Sequence, residues 1–326
     1  MKKFGSSLMA ALLAAVLGLA TFAPALRAEE SSEAAKPEKI TIKSYNAERE
    51  IVDLEVPYDA KRLAVMDMAS LDILQELGLS DRVLGSSSGK IDYLQDILTR
   101  EDLINLGTVK EVDLEALNSA KPDLIFIGGR LAKSYDELSK IAPVVFLGID
   151  KEKGVVQSTH DNAKTIASIF GREEKVDGRF KGFDERIKKL QEKAKDLTAI
   201  VGLVTKGSLN ILGKDGRCSL ISNEIGFQNI GVEQDKSTST HGNEASFEFV
   251  VEKNPQYMFI LDRDAAIQAK GAKAAKEIVE NDLTKDVDAI KNGHAIYLAH
   301  PDVWYIAEGG IQALNIMISD IEDALK

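Results

Sequence analysis

Cysteine is nearly absent: among 326 residues only Cys218 carries a thiol. No internal disulfide can form, and no cysteine lies near the N-terminus to accept a lipid. An excess of basic residues is also missing. The formal charge is -11, and it becomes -14, with 38 basic against 52 acidic residues, once Lys2, Lys3 and Arg27 are removed with the leader. Nucleic acid is therefore excluded as a partner, since no surplus of Lys or Arg is available for phosphates. The N-terminal apolar run is short and interrupted for a spanning helix of roughly 20 residues, and no other segment approaches that length. Enzyme signatures are missing too: there is no G-x-S-x-G elbow, no phosphate-binding G-x-x-x-x-G-K-[ST] loop and no G-x-G-x-x-G after a strand. Neither HExxH, His-x-His nor paired-cysteine spacing occurs, so a dedicated zinc or copper site is not indicated.

What is present begins with Lys2 and Lys3, an apolar core from about Leu8 to Leu19, and FAPALRAEE. This is the layout of a secretory signal peptide over residues 1–28, and cleavage after Ala25 or Ala28 fits. The mature chain is expected to be exported, soluble and free of a lipid anchor. Export without disulfides suits a periplasm, because about 300 residues bury a sufficient core without staples. That length accommodates two domains.

One stretch occurs twice, 133 residues apart. LEALNSAKPDLIFIGGR (114–130) and FEFVVEKNPQYMFILDR (247–263) share Glu115/Glu248, Pro122/Pro255, Phe126/Phe259, Ile127/Ile260 and Arg130/Arg263. Each copy reads as a helix, a break at proline and a short buried strand. Each delivers an arginine just past the carboxyl end of its strand, where ligands bind in open α/β sheets. Alternating strands and helices predict an α/β fold of two doubly wound lobes, 38–171 and 198–326, with a ligand cleft between them. An N-terminal hairpin (ITIKSYN and REIVDLEV) precedes them. SYDELSKI, NAKTIASIFG, SLISNEIG and IQALNIMISDIEDAL are expected helices.

Residues 172–197 join the lobes. Val176, Phe180, Phe183, Ile187, Leu190, Ala194 and Leu197 recur at helical spacing on an otherwise charged sequence, which predicts one long helix packed on both lobes. A coiled coil is the weaker competing reading. A single helical strut allows only small hinge motion.

Three arginines, Arg130, Arg217 and Arg263, fall at strand ends or in Gly-rich loops, and guanidinium forks suit clustered anionic oxygens. Arg217 has only its Gly-Arg loop context. Of the four histidines, His160 and His294 read as structural, whereas His241 and His300 lie in loops able to face the cleft. His241 with Tyr305 suits a hard ferric ion that keeps vacant positions. Cys218 reads as a buried structural thiol. Glu115 and Glu248 sit at helix starts, away from the strand-end arginines, and two symmetric acidic knobs suit docking to a two-fold basic partner. Ordinary helix N-terminal acid is the simpler alternative for either one.

Taken together, the repeated strand motif, the strut and the segments KPDLIFIGGR, STHGNEASFEFVVEKNPQYMFILDRD and YLAHPDVWYIAEGG resemble periplasmic ferric-siderophore-binding proteins. These are the single-helix-hinged substrate-binding components of ABC importers. The likeness covers about 38–326 and is greatest with the branch that takes catecholate siderophores such as petrobactin. It implies a non-enzymatic binding protein, expected as a monomer, that delivers its ligand to a permease dimer and its ATPase at the inner membrane. It implies that Arg130, Arg217 and Arg263 line the cleft, and that His241 and Tyr305 complete the iron shell of a tetradentate bis-catecholate. No intrinsic cofactor is implied; Fe(III) arrives with the siderophore. Glu115 and Glu248 would contact permease arginines. His300 stands where relatives often carry an acidic residue, so it is a rival or helper to His241. Haem or cobalamin capture is the alternative within the same fold.

Overall fold

The computed structural model describes residues 37–213, 216–232 and 241–326. The expected leader, 1–28, and most of the loop at 235–243 lie outside them.

The expected hairpin forms from β1 (Lys39–Tyr45) and β2 (Ile51–Pro57), antiparallel in continuous register. The first sheet then takes β3 (Leu63–Val65), followed by helix α1 (Met68–Glu76), then β4 (Val83–Ser88), β5 (Ile104–Thr108) and β6 (Glu111–Val112). Helix α2 (Leu114–Ala120), β7 (Leu124–Ile127) and β8 (Val144–Phe146) complete it. Its order is β6-β5-β4-β3-β7-β8, with parallel pairing except at the β6 edge. Helix α3 (Gly154–Ile169) and the strut α4 (Glu174–Ala194) lead to β9 (Thr198–Thr205) and β10 (Ser208–Ile211). β11 (Gln228–Asn229), β12 (Asn243–Glu244), α5 (Phe247–Lys253), β13 (Tyr257–Asp262), β14 (Ala295–Tyr297) and α6 (Ile311–Ala324) follow.

The second sheet is mixed, not purely parallel. β9, β13 and β14 run parallel, but β10 and β12 form an antiparallel edge. Lys206 and Gly207 explain this: both have positive φ (51° and 83°), the geometry of a tight two-residue hairpin. SYDELSKI yields only a four-residue helix, Tyr135–Leu138, after a 3₁₀ stretch. SLISNEIG contains a π-turn, Leu220–Glu224.

Strand alternation sorts the core into three layers. Leu63, Val65, Leu124 and Phe126 face the same cluster as Val201, Leu203, Phe259 and Leu261, so one central core serves both sheets. Their outer faces, with Ile125 and Ile127 on one sheet and Met258 and Ile260 on the other, pack separately. The strut buries Val176, Phe180, Phe183, Ile187, Leu190 and Ala194 in the central core, the stripe its periodicity predicts. Arg186 holds the strut to α6 through both Glu322 oxygens (2.9 and 2.6 Å), Asn315 and Ser319, and Arg179 pairs with Glu76 of α1.

Two carboxylates, the buried Asp72 and the partly buried Glu224, bond to helix N-termini, where backbone N–H groups lack partners. Asp72 of α1 accepts from the N–H groups of Gln312 (3.0 Å) and Ala313 (2.8 Å), which open α6. Glu224, at the end of the π-turn, accepts from Val155 and Val156 at the start of α3. Both helix starts are glycine. A Cβ on Gly310 would collide with the Asp72 carboxylate, and one on Gly154 would collide with that of Glu224.

Candidate functional site

The two repeat copies fold alike. α2 and α5 are each seven residues long, capped by Asp113 and Ser246, whose side chains accept from the N–H of Ala116 and Phe249. Each ends on a left-handed residue, Lys121 (φ 48°) or Asn254 (φ 40°), followed by proline. β7 and β13 come next, and the strand ends deliver Arg130 and Arg263. Arg130 follows Gly128 and Gly129. A Cβ on Gly128 would strike the Asp67 carboxylate, so the chain can turn this tightly only with glycine there. Arg263 opens a short helix capped by Asp262 and pairs with Asp264 at 2.9 Å.

These arginines and Arg217 converge on Tyr305, which sits in a π-turn, Val303–Ala307, after β14. The guanidinium carbons of Arg217, Arg130 and Arg263 stand 4.2, 5.5 and 6.0 Å from its ring centre. The Tyr305 carbonyl accepts from Arg130 (2.8 Å) and Arg217 (2.6 Å), and Arg263 engages its side chain. The His241 ring lies 6.3 Å from the Tyr305 ring. Five residues spread over 176 positions of sequence thus occupy one place.

The electrostatics follow from this crowding. Burial works to raise the Tyr305 phenol, but the bond from Arg263 and the charges of Arg217, Arg263 and Arg130 outweigh it and hold it below the usual range. Burial, followed by Arg217, Arg263, Lys110 and Arg130, pushes the His241 imidazole down and favours its neutral, metal-binding form. Burial and the neighbouring Arg217 also lower the Arg130 guanidinium. Guanidiniums grouped in this way can bind clustered anionic oxygens, and a phenol and an imidazole are donor types able to ligate a hard metal ion.

A cleft of about 680 Å³ opens over Arg130, Arg217, His241 and Tyr305. Tyr45, Arg49 and Lys110 also line it, and nothing in their sequence context marks them. Sharing Arg130, Arg217 and Tyr305 with it is a polar cavity of about 150 Å³ whose walls also include Asp67 and Glu308. Burial drives the Glu308 carboxyl up to about 7, and its Oε1, like Arg217 Nε, has no partner there.

The remaining histidines lie elsewhere. His300 Nδ1 is 2.7 Å from Asp320 of α6, which also accepts from Trp304 Nε1 at 2.8 Å. His160 sits by Asp177 (3.1 Å) and packs on Phe180; His294 stacks on Tyr257 at 4.3 Å. Cys218 is buried. Glu115 and Glu248 are exposed in the first turns of α2 and α5, remote in sequence pattern from the arginine ends of their repeats. Among the described residues no helix is long and apolar enough to cross a membrane.

Residues 63–301 match the periplasmic binding protein family. The chain is 34% identical over 293 residues to the petrobactin-binding protein YclQ of Bacillus subtilis, covering 89% of this chain and 90% of that protein. The crystal structure of YclQ superposes with a TM-score of 0.81 at 33% identity, over 89% of this chain and 99% of that one. The periplasmic catecholate-siderophore binding protein VctP of Vibrio cholerae gives a TM-score of 0.78 at 30% identity, over 87% and 100% of the two chains. At 27% identity over 267 residues, the ferric-anguibactin-binding protein FatB of Vibrio anguillarum covers 80% of this chain and 81% of its own. By sequence and by fold, this protein belongs to the periplasmic binding protein family, whose members bind substrates and are not enzymes.

Proposed function

We propose that this protein captures a ferric catecholate siderophore, tetradentate or petrobactin-like, and delivers it to an ABC permease dimer driven by its ATPase. The observation that carries this reading is the convergence of Arg130, Arg217 and Arg263 on Tyr305, with His241 alongside. A bis-catecholate leaves two of the six ferric positions open, and its deprotonated oxygens make the complex anionic. Three guanidiniums balance that charge in a partly desolvated cleft. Tyr305 and His241 supply the two missing donors. Tyr305 is only 3% exposed, so iron reaches its oxygen as Arg263 gives up the phenol and turns to the ligand. The names of the relatives that bind petrobactin and anguibactin support the same ligand class.

The halves 38–171 and 198–326 act as lobes about the strut 172–197, with closure limited by the Asp72 and Glu224 ties. Exposed Glu115 and Glu248, equivalent by the repeat, dock the lobes onto permease arginines. In this reading the protein works in the periplasm as a soluble monomer.

Trp304, the sole tryptophan, adjoins Tyr305 and reports ligand capture. Its fluorescence should be quenched saturably by ferric bis-catecholate at concentrations below about 1 μM, well ahead of ferric hydroxamate or haemin. Preferential quenching by haemin would replace this reading with the haem alternative.

A further inference from the structure

We propose that the mouth of the cleft carries a second anion subsite, built on Arg49 with Lys110 as supporting charge, that reads a carboxylate on the siderophore's linker and not its iron-binding groups. It deepens the ferric-catecholate reading above and rests on it. Arg49 lies at the tip of the β1–β2 hairpin and lines the cleft that holds Arg130, Arg217, His241 and Tyr305. Its backbone is left-handed, φ 63°, which is uncommon for a residue other than glycine. The turn fixes that conformation: Asn46 N donates to the Glu50 carbonyl (2.9 Å), Arg49 N to the Asn46 carbonyl (3.1 Å), and Glu50 N to Asn46 Oδ1 (2.8 Å).

The side chain is held as firmly. Nη2 donates to the carbonyl of Gly129 across 2.9 Å, docking the hairpin against the residue immediately before Arg130. A Cβ on Gly129 would stand 3.1 Å from that nitrogen and 3.5 Å from the guanidinium carbon, so glycine leaves room for the guanidinium to lie against the turn. One nitrogen is spent in this way. Among the described residues, Arg49 has no carboxylate partner and no second acceptor, although an arginine carries five N–H donors in a fork suited to carboxylate. Unlike the three inner arginines, it makes no contact with the Tyr305 ring, so it addresses a different part of the ligand. Lys110 lines the same mouth and is near enough to His241 to depress its imidazole. Asp150 and Glu152 at the mouth oppose indiscriminate anion capture. A ligand anchored at the inner arginines can place a carboxylate on the fork.

Two ferric bis-catecholates separate the roles: one linked through lysine, whose linker bears a free carboxylate, and one linked through cadaverine, whose linker bears none. The intact protein should bind the lysine-linked complex about five- to tenfold more tightly. Arg49→Ala should abolish that preference, weakening the lysine-linked complex about five- to tenfold more than the cadaverine-linked one; Lys110→Ala should reduce the preference in part. Equal affinity of the intact protein for the two complexes, or a preference that survives Arg49→Ala, would overturn the subsite. Failure of both complexes to bind the intact protein would overturn the ferric-catecholate reading itself, and the subsite with it.

Discussion

Arg217 donates to the Tyr305 carbonyl across 2.6 Å while its guanidinium carbon stands 4.2 Å from the same tyrosine's ring centre. One cation therefore fixes the backbone of the π-turn and shapes the field at its side chain. Arg130 shares the carbonyl from the other sheet at 2.8 Å, so the turn is gripped from both halves of the molecule. Replacing Arg217 or Arg130 by alanine should weaken binding of ferric bis-catecholate about 10- to 100-fold, the range for hydrogen bonds to charged groups. Arg217→Lys keeps the charge but loses the fork, and should recover only part of that affinity. Quenching of Trp304 measures all three.

The Asp72 tie should matter to stability more than to ligand affinity. Asp72 accepts from the Tyr93 hydroxyl (2.6 Å) as well as from the two N–H groups of α6. Asp72→Ala strands these donors in the core and should cost about 2–4 kcal/mol in denaturant unfolding. Gly310→Ala should be destabilising too, because its new methyl meets the same carboxylate.

Stability should fall as pH rises from about 4 to about 7. Burial drives Asp72 up to about 6 and Glu308 up to about 7. Folding thus raises both affinities for protons. Their contribution is fully present below the ordinary carboxyl range and is lost as each ionises inside the protein. Each represents on the order of 3 kcal/mol. Glu308→Gln should flatten the upper part of the profile of unfolding free energy between pH 5 and 8; an unchanged slope would show that Glu308 does not titrate there.

Much of this architecture was legible in the sequence because it is local or periodic. Six strut positions from Val176 to Ala194 follow a 3.6-residue rhythm and are all buried. The repeat predicts two matching helix–proline–strand units, and both form. Contacts between distant positions were not legible. Asp72 meets Ala313 across 241 positions, and nothing near either residue announces the other. Arg49 reads as an ordinary hairpin charge until Gly129 is seen beneath it. The antiparallel edge of the second sheet depended on Lys206 adopting a positive φ, a conformation that composition alone does not mark. The assignment of Tyr305 and His241 rests mainly on resemblance, which already implies one cleft shared with the arginines; the grip of Arg130 and Arg217 on the Tyr305 carbonyl emerges only once the chain is folded.

If Glu115 and Glu248 dock the lobes, they should influence transport and not capture. Glu115→Lys with Glu248→Lys should leave siderophore affinity unchanged and abolish stimulation of ATP hydrolysis by the reconstituted importer. Loss of binding in the free protein would place these residues in the ligand site instead.

The central claim is that Tyr305 and His241 complete the coordination of iron held by a tetradentate catecholate. Visible absorption of the ferric complex tests it most directly, because the charge-transfer band responds to the donor set. On binding the intact protein the band should shift, and Tyr305→Phe and His241→Ala should each move it away from the intact value while the complex stays bound. A band identical in the intact protein and both variants would contradict the account.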